Sequence, residues 1–269
     1  MTTHRASWLN GRVQRGEEEL FSAFDPALLL GDGLFESLAV SLEAMPGLEL
    51  HESRLRWAAA RMHFVLEDGP NWGAVITQLL ELAELEAGRA RISLLGPAER
   101  PRLLFTVQEL PEDLEEKRRE GIRLWVSSFR MSPNDPVAGL KCLSRSFQLA
   151  AEREARGHGA DDALLLGQHG ELRECTRWNV FAQNPDDSLV TPTLTGAFLP
   201  GITRARLLAL LPGLGLSCRE RTLNFDELRP EMALFLSNAV YGLVPVRELN
   251  GEELTRPRGL DRLLQGLLS

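Results

Sequence analysis

Gly159-Ala160-Asp161-Asp162-Ala163-Leu164-Leu165-Leu166, then Gly170-Glu171-Leu172-Arg173-Glu174-Cys175-Thr176, then Asn179-Val180-Phe181-Ala182, is the stretch that sets the architecture. Its apolar runs at 163–166 and 179–182 are short and flanked by polar residues, which predicts two strands with Glu174 at a strand edge between them. On the C-terminal side and just upstream, strands are expected at 122–128, 233–236 and 243–246. Helices are expected at 144–156, 203–211 and 260–268. Nearer the N-terminus, Trp8-Leu9-Asn10-Gly11-Arg12-Val13 predicts a β-hairpin, because Asn-Gly suits a two-residue turn that needs positive φ. A strand at 33–40 follows the Gly31-Asp32-Gly33 turn; helices at 51–63 and 71–86 and strands at 91–95 and 103–107 come next.

The polar, acidic segment Glu109-Leu110-Pro111-Glu112-Asp113 predicts a domain boundary. The expected organisation is an N-terminal α/β domain over 1–108, a linker at 109–115 and a C-terminal α/β domain over 116–269. The fold class is α/β (α+β) in two unequal lobes, with a ligand expected in the cleft between them.

A chain of 269 residues can bury the core of one large domain or of two smaller ones. Its formal net charge of −8 argues against binding nucleic acid or an anionic membrane, either of which calls for a basic field. A small anionic substrate would be met by local arginines instead. Cys142, Cys175 and Cys218 are odd in number and far apart, with none in a Cys-x-x-Cys pair or near a histidine at ligand spacing. Neither a disulfide framework nor a metal site is therefore expected. Met1-Thr2-Thr3-His4-Arg5-Ala6-Ser7-Trp8 lacks the apolar core of a signal peptide, and no apolar run approaches a membrane span. The expected location is cytoplasmic.

Of the 30 basic residues only Lys117 and Lys141 are lysines. Arginine supplies surface charge equally well, but it does not lose its proton near neutral pH or attack a carbonyl as a neutral amine. Lys117, in Glu115-Glu116-Lys117-Arg118-Arg119-Glu120, has the surroundings of a solvated helix charge. Lys141, in Val137-Ala138-Gly139-Leu140-Lys141-Cys142-Leu143, has those of a partly desolvated amine. A bias toward arginine with one lysine left in a loop explains the same composition.

Three further places carry chemistry. Gly201-Ile202-Thr203 opens a helix whose free N–H groups and dipole favour an anion such as phosphate, although most such starts simply cap themselves. Ser237 and Asn238 end an apolar run and can present polar groups to the same anion or form an ordinary turn. Glu174 can keep a pyridine nitrogen protonated, and Arg54, in His51-Glu52-Ser53-Arg54-Leu55, can grip a phosphate through two nitrogens. Taken singly, the last two are surface charges. As a set, the lysine, carboxylate, arginine and helix start describe a pyridoxal 5′-phosphate site.

The ordered series of segments resembles the fold-type IV, or class IV aminotransferase, family of pyridoxal-phosphate enzymes over nearly the whole chain. Leu30-Gly31-Asp32-Gly33-Leu34-Phe35-Glu36, His51-x-x-Arg54-Leu55 and Gly139-Leu140-Lys141 carry the resemblance, followed by the opening stretch above. Thr191-Pro192, Gly201-Ile202-Thr203-Arg204, Ser237-Asn238-Ala239 and Pro245-Val246 complete it. The resemblance implies two α/β domains with the cofactor between them and a homodimer. It also implies that Lys141 holds the cofactor as an aldimine and moves protons, that Glu174 faces the ring nitrogen, and that Arg54, Ile202 and Thr203 hold the phosphate with Ser237 and Asn238.

Within the family, Lys141-Cys142-Leu143-Ser144-Arg145 is similar to the Lys-x-Leu-Asn-Arg run of 4-amino-4-deoxychorismate lyases, with serine for asparagine, and Glu174-Cys175 follows the lyase pattern. Branched-chain aminotransferases usually have a tyrosine a few residues past the lysine; here the only tyrosine is Tyr241. The expected reaction is conversion of 4-amino-4-deoxychorismate to 4-aminobenzoate and pyruvate, toward folate. Branched-chain or D-amino-acid transamination, a cofactor-free Schiff-base lyase and a catalytically silent binding protein are the alternatives. Leu94 to Arg102 is shorter than the family's arginine-glycine loop. Phe35, Arg102 and Arg177 are the candidate substrate contacts.

Overall fold

The computed structural model describes residues 4–16, 21–194 and 198–268. Met1, Thr2 and Thr3 of the N-terminal stretch therefore lie outside the described residues. The chain divides into two compact units: Met1–Glu112 with Leu140–Ser144, and Asp113–Gly139 with Arg145–Ser269. The short piece carrying Lys141 thus packs with the first unit although it lies well beyond residue 112.

In the first unit, β1 (Arg5–Leu9), β2 (Arg12–Arg15), β3 (Gly33–Ser41), β4 (Ala87–Leu95) and β5 (Arg102–Gln108) form one antiparallel sheet in the order β2-β1-β5-β4-β3. The hairpin forms at Asn10-Gly11, both at positive φ. Helices α1 (Pro26–Leu30), α2 (Leu48–Arg61) and α3 (Trp72–Ala83) accompany the sheet. Asn71 caps α3 by accepting from Ala74 N–H, and Val75, Ile76, Leu79, Leu80 and Ala83 bury its apolar stripe. Trp72 and Trp8 each meet Phe105 of β5 edge-on, with ring centroids 5.6 and 5.3 Å away. β4 shows period two: Ala90, Ile92 and Leu94 are buried, whereas Arg89 and Arg91 are half-buried.

The second unit holds α4 (Leu114–Glu120), β6 (Ile122–Met131), α5 (Ser146–Gly157), β7 (Asp162–Gly167), β8 (Leu172–Cys175), β9 (Asn179–Gln183), β10 (Leu189–Pro192), α6 (Ile202–Leu210), β11 (Cys218–Arg221), β12 (Ala233–Asn238), β13 (Gly242–Leu249), β14 (Glu252–Glu253) and α7 (Leu260–Leu268). The strands run in the order β11-β10-β9-β12-β13-β6-β7-β8, and β8 also pairs with β9, which closes a ring of six strands from β9 through β12, β13, β6 and β7 to β8. Closure removes two sheet edges. Leu164 and Leu166, Val180 and Ala182, and Leu234 and Leu236 share one core. The residues between them face outward into two others: Ala163 and Leu165 pack with Ala151 and Ala155 of α5, while Phe181 and Phe235 stack 5.0 Å apart against Leu207 of α6 and Leu263 of α7. Both faces of β7, β9 and β12 are thus buried, which is why they read as near-continuous apolar runs.

Lys117 of α4 pairs with Asp113 at 2.7 Å and stands 5.5 Å over the Tyr241 ring, with its side chain only 23% exposed. It is a paired charge rather than a fully solvated one. Among the described residues, no helix is long and apolar enough to cross a membrane.

Candidate active site

In the first unit, Lys141 lies along the free edge of β3. Its carbonyl accepts Phe35 N–H at 2.8 Å, Leu143 N–H donates to Gly33 O at 2.9 Å, and Leu34 bridges Cys142 in antiparallel sense. Gly33 permits this approach, since a Cβ there would stand 2.3 Å from Leu94 O and 2.6 Å from the Leu143 side chain. Lys141 Nζ is 4.6 Å from the centroid of the buried Phe35 ring.

Glu36 follows Phe35 and so turns to the other face of β3, toward α2. His51 Nδ1 lies 2.7 Å from its Oε2; Arg54 Nε donates to Oε1 at 2.8 Å and Nη2 to Oε2 at 2.5 Å. His51 and Arg54 are three residues apart and therefore share a face of α2. Burial pushes the Glu36 carboxyl up, but the bonds from His51 and Arg54 outweigh it and hold it at about 2. Burial pushes His51 down, against the opposing pull of Glu36, so a neutral ring donates through Nδ1, and buried Nε2 has no hydrogen-bond partner among the described residues. Arg54 is thereby held as a fixed fork.

In the second unit, Asn179 is the hub. It pairs with Glu174 of β8 and with Ser237 of β12, and its side chain lies against Gly201. A Cβ at Gly201 would stand 1.8 Å from Asn179 Oδ1, so any larger residue there would have to displace the Asn179 amide. Asn179 Nδ2 donates to Leu199 O at 2.9 Å, and Leu199 N–H donates to Glu174 Oε2 at 3.2 Å. The turn between Glu174 and Asn179 is fastened from beneath by buried Asp162. That carboxylate accepts Thr176 Oγ1 at 2.7 Å, Thr176 N–H at 3.2 Å, Trp178 Nε1 at 3.0 Å and Ala163 N–H at 2.7 Å. Arg145 adds a bond to Thr176 O at 2.7 Å.

Helix α6 starts at Gly201 with no side-chain cap among the described residues, and Ile202 and buried Thr203 form its first turn, where free N–H groups favour an anion. Arg204 beside them is only 2% exposed; it donates to Pro192 O at 2.9 Å and Glu220 Oε2 at 2.7 Å, and its Nε has no hydrogen-bond partner among the described residues. Ser237 is buried and, among the described residues, its Oγ likewise lacks one. Asn238 Oδ1 accepts Val240 and Tyr241 N–H at 2.9 and 2.8 Å, which fastens the turn from β12 to β13.

The structure thus groups Lys141, Arg54 and Phe35 in the first unit, and Glu174, Ile202, Thr203, Ser237 and Asn238 in the second. Arg102 forms a fork on Asp25 at 2.6 and 2.8 Å and also donates to Gly96 O. Arg177 spans Glu152 at 3.4 Å and Asp162 at 3.6 Å. Both guanidiniums are therefore engaged with carboxylates of the chain itself. Glu36, Asn179, Asp162 and Arg204 are the residues that sequence reasoning missed. For Glu36 a signal existed: period two from Leu34 and Leu38 puts a carboxylate on a buried strand face, which calls for a cation nearby.

The first unit thus offers a lysine amine and an arginine held by Glu36, and the second a carboxylate fixed by a backbone N–H, a helix start with no side-chain cap and a buried hydroxyl; these are the group types that an aldehyde cofactor with a ring nitrogen and a phosphate calls for. The comparisons agree. The model of the amino-transferase class IV family matches residues 33–249, and the chain belongs to that family, whose cofactor is pyridoxal 5′-phosphate. It is 32% identical to the 4-amino-4-deoxychorismate lyase of Pseudomonas aeruginosa, covering 97% of each chain with a TM-score of 0.78. It is 32% identical to the branched-chain-amino-acid aminotransferase of Escherichia coli K12 over 145 residues, 53% of this chain and 47% of that protein. The chain spans about half the length of the curated relatives it matches. The PLP-bound form of a hypothetical aminotransferase from Mycobacterium tuberculosis shares the fold at 24% identity and a TM-score of 0.87, covering 98% and 97%.

Proposed function

We propose that the chain is a lyase that splits 4-amino-4-deoxychorismate into 4-aminobenzoate and pyruvate. The carrying observation is the 32% identity to the Pseudomonas lyase over 97% of both chains, against 24–26% for aminotransferase structures matched over a similar span. Bound pyridoxal phosphate would supply an electron sink for the charge left on the substrate carbon. Lys141 Nζ would hold the cofactor's aldehyde carbon and would serve as the base for the proton on the substrate carbon that bears the amine. Glu174, whose carboxylate accepts Leu199 N–H, would keep a proton on the ring nitrogen. Arg54, the N–H groups of Ile202 and Thr203, and Ser237 hold the phosphate; Asn238 shapes the turn beside them. Phe35 covers one side of the amine. The proposed holoenzyme is a cytoplasmic homodimer in which exposed Phe24, Leu28, Leu29 and Leu30 are covered.

The runner-up is an aminotransferase that uses the same residues, favoured by the curated branched-chain relatives. Product analysis with aminodeoxychorismate alone separates the two. Many turnovers of 4-aminobenzoate and pyruvate without a keto acid are expected of the lyase. One stoichiometric conversion of the cofactor to its amine form by an amino acid would instead establish the transaminase.

A further inference from the structure

β9 carries a polar side chain to which the reaction itself gives no task. Val180 and Ala182 point into the core shared with Cys175 and Leu236, so Asn179, like Glu174 across the β8–β9 pair, turns to the opposite side. There it is 5% exposed, and Ser237 stands directly opposite it in the β9–β12 pair. A primary amide presents a donor and an acceptor in one plane, and burying it is costly unless both are used. Nδ2 donates to Leu199 O at 2.9 Å, while Oδ1 fills the space beside Gly201 where a side chain would begin.

We infer that Asn179 is a positioning residue that keeps the ring-nitrogen carboxylate and the phosphate-binding helix start at a fixed spacing; this rests on the reading of Glu174 and α6 given above. The segment from Leu199 to Gly201 is seated on the amide at both ends, by a hydrogen bond at one and by close packing at the other. Leu199 N–H continues to Glu174 Oε2 at 3.2 Å. Gly201, extended at φ −66° and ψ 135°, opens α6, and its carbonyl accepts Ala205 N–H at 3.0 Å. Displacing the amide therefore moves the donor to Glu174 and the first turn of α6 together. Ser237, whose buried hydroxyl has no hydrogen-bond partner among the described residues, is registered against the same residue by strand pairing. A rigid ring sets the distance between its nitrogen and its phosphate arm, so the groups that meet the two must hold that distance.

The test loads the full chain with pyridoxal phosphate carrying nitrogen-15 in its ring, and reads the ring-nitrogen and phosphorus resonances of the bound cofactor. Asn179→Ala and Asn179→Asp, neither of which can donate to Leu199 O, should move both resonances and weaken cofactor binding about tenfold. Glu174→Gln should move the nitrogen resonance alone, and Ser237→Ala the phosphorus resonance alone. Gln183→Met is the control for general loosening, since it removes two hydrogen bonds to Arg258 from the same strand; neither resonance should move. If the Asn179 variants do not fold, Gly201→Ala carries the test: its Cβ displaces the amide, and the nitrogen resonance should move although Glu174 is untouched. One resonance moving without the other in the Asn179 variants, an unmoved nitrogen resonance in Gly201→Ala, or both moving in Gln183→Met would overturn the inference. An unmoved nitrogen resonance in Glu174→Gln would mark failure of the Glu174 reading on which it stands.

Discussion

Two buried carboxylates, one in each unit, are satisfied in opposite ways. Glu36 meets an arginine fork and a histidine ring, and its carboxyl is held at about 2. Asp162 meets mainly neutral donors from Thr176, Trp178 and Ala163, with Arg177 farther off at 3.6 Å. Burial pushes its pKa up, and that is the prevailing direction. The contrast follows from what each carboxylate fixes in place. Glu36 aims a cation, so its own charge is required. Asp162 fastens a turn, for which acceptor oxygens matter more than charge.

The largest effect should come from Glu36→Gln, which leaves Arg54 and His51 without their carboxylate and should cost roughly 3–5 kcal/mol in urea unfolding. Asp162→Asn keeps the shape but replaces an acceptor by a donor facing Thr176 or Trp178, and should cost roughly 1–3 kcal/mol. If the asparagine variant proved the more damaging of the two, the contrast between charge and acceptor would be broken.

The two carboxylates also impose opposite pH slopes on stability. Glu36 is ionised in the folded chain while its unfolded counterpart, near 4.5, takes up a proton. Its contribution is therefore fully present above 4.5 and is lost as pH falls through about 2. Asp162 has a raised folded value, so it keeps its proton after the unfolded carboxyl, near 3.8, has ionised; stability falls as pH rises through the folded value. Unfolding measured from pH 2 to 6 should show the acid-side loss flattened in Glu36→Gln and the opposing trend removed in Asp162→Asn. The smallest change is expected for Ser237→Ala. Its hydroxyl has no hydrogen-bond partner among the described residues, so stability should move by less than about 1 kcal/mol, while affinity for pyridoxal phosphate falls several-fold. Equal affinity in serine and alanine proteins would remove Ser237 from the phosphate site.

Much of this arrangement is legible in the sequence. The runs at β7, β9 and β12 announce buried strands, and the expected helices at 71–86 and 203–211 appear as α3 and α6 with only their ends shifted. What escapes depends on distant partners. β11 is Cys-Arg-Glu-Arg, largely exposed, and exists through parallel pairing with β10, so no apolar pattern marks it. Ser144 resembles a helix cap, yet it is packed against Gly31 in the segment beside β3, and α5 begins only at Ser146. The placement of Lys141 with the first unit escapes for the same reason: it rests on hydrogen bonds to residues more than a hundred positions away. Lysine scarcity marked Lys141 as chemically distinct, but nothing local showed that β3 holds it beside Phe35.

Borohydride reduction of the protein loaded with pyridoxal phosphate, followed by peptide mass analysis, tests the assignment on which everything else stands. One pyridoxyl-phosphate group per chain is predicted on Lys141, with the visible band erased on reduction and absent from Lys141→Ala. Label on Lys117 instead, or a band that survives in Lys141→Ala, would contradict it.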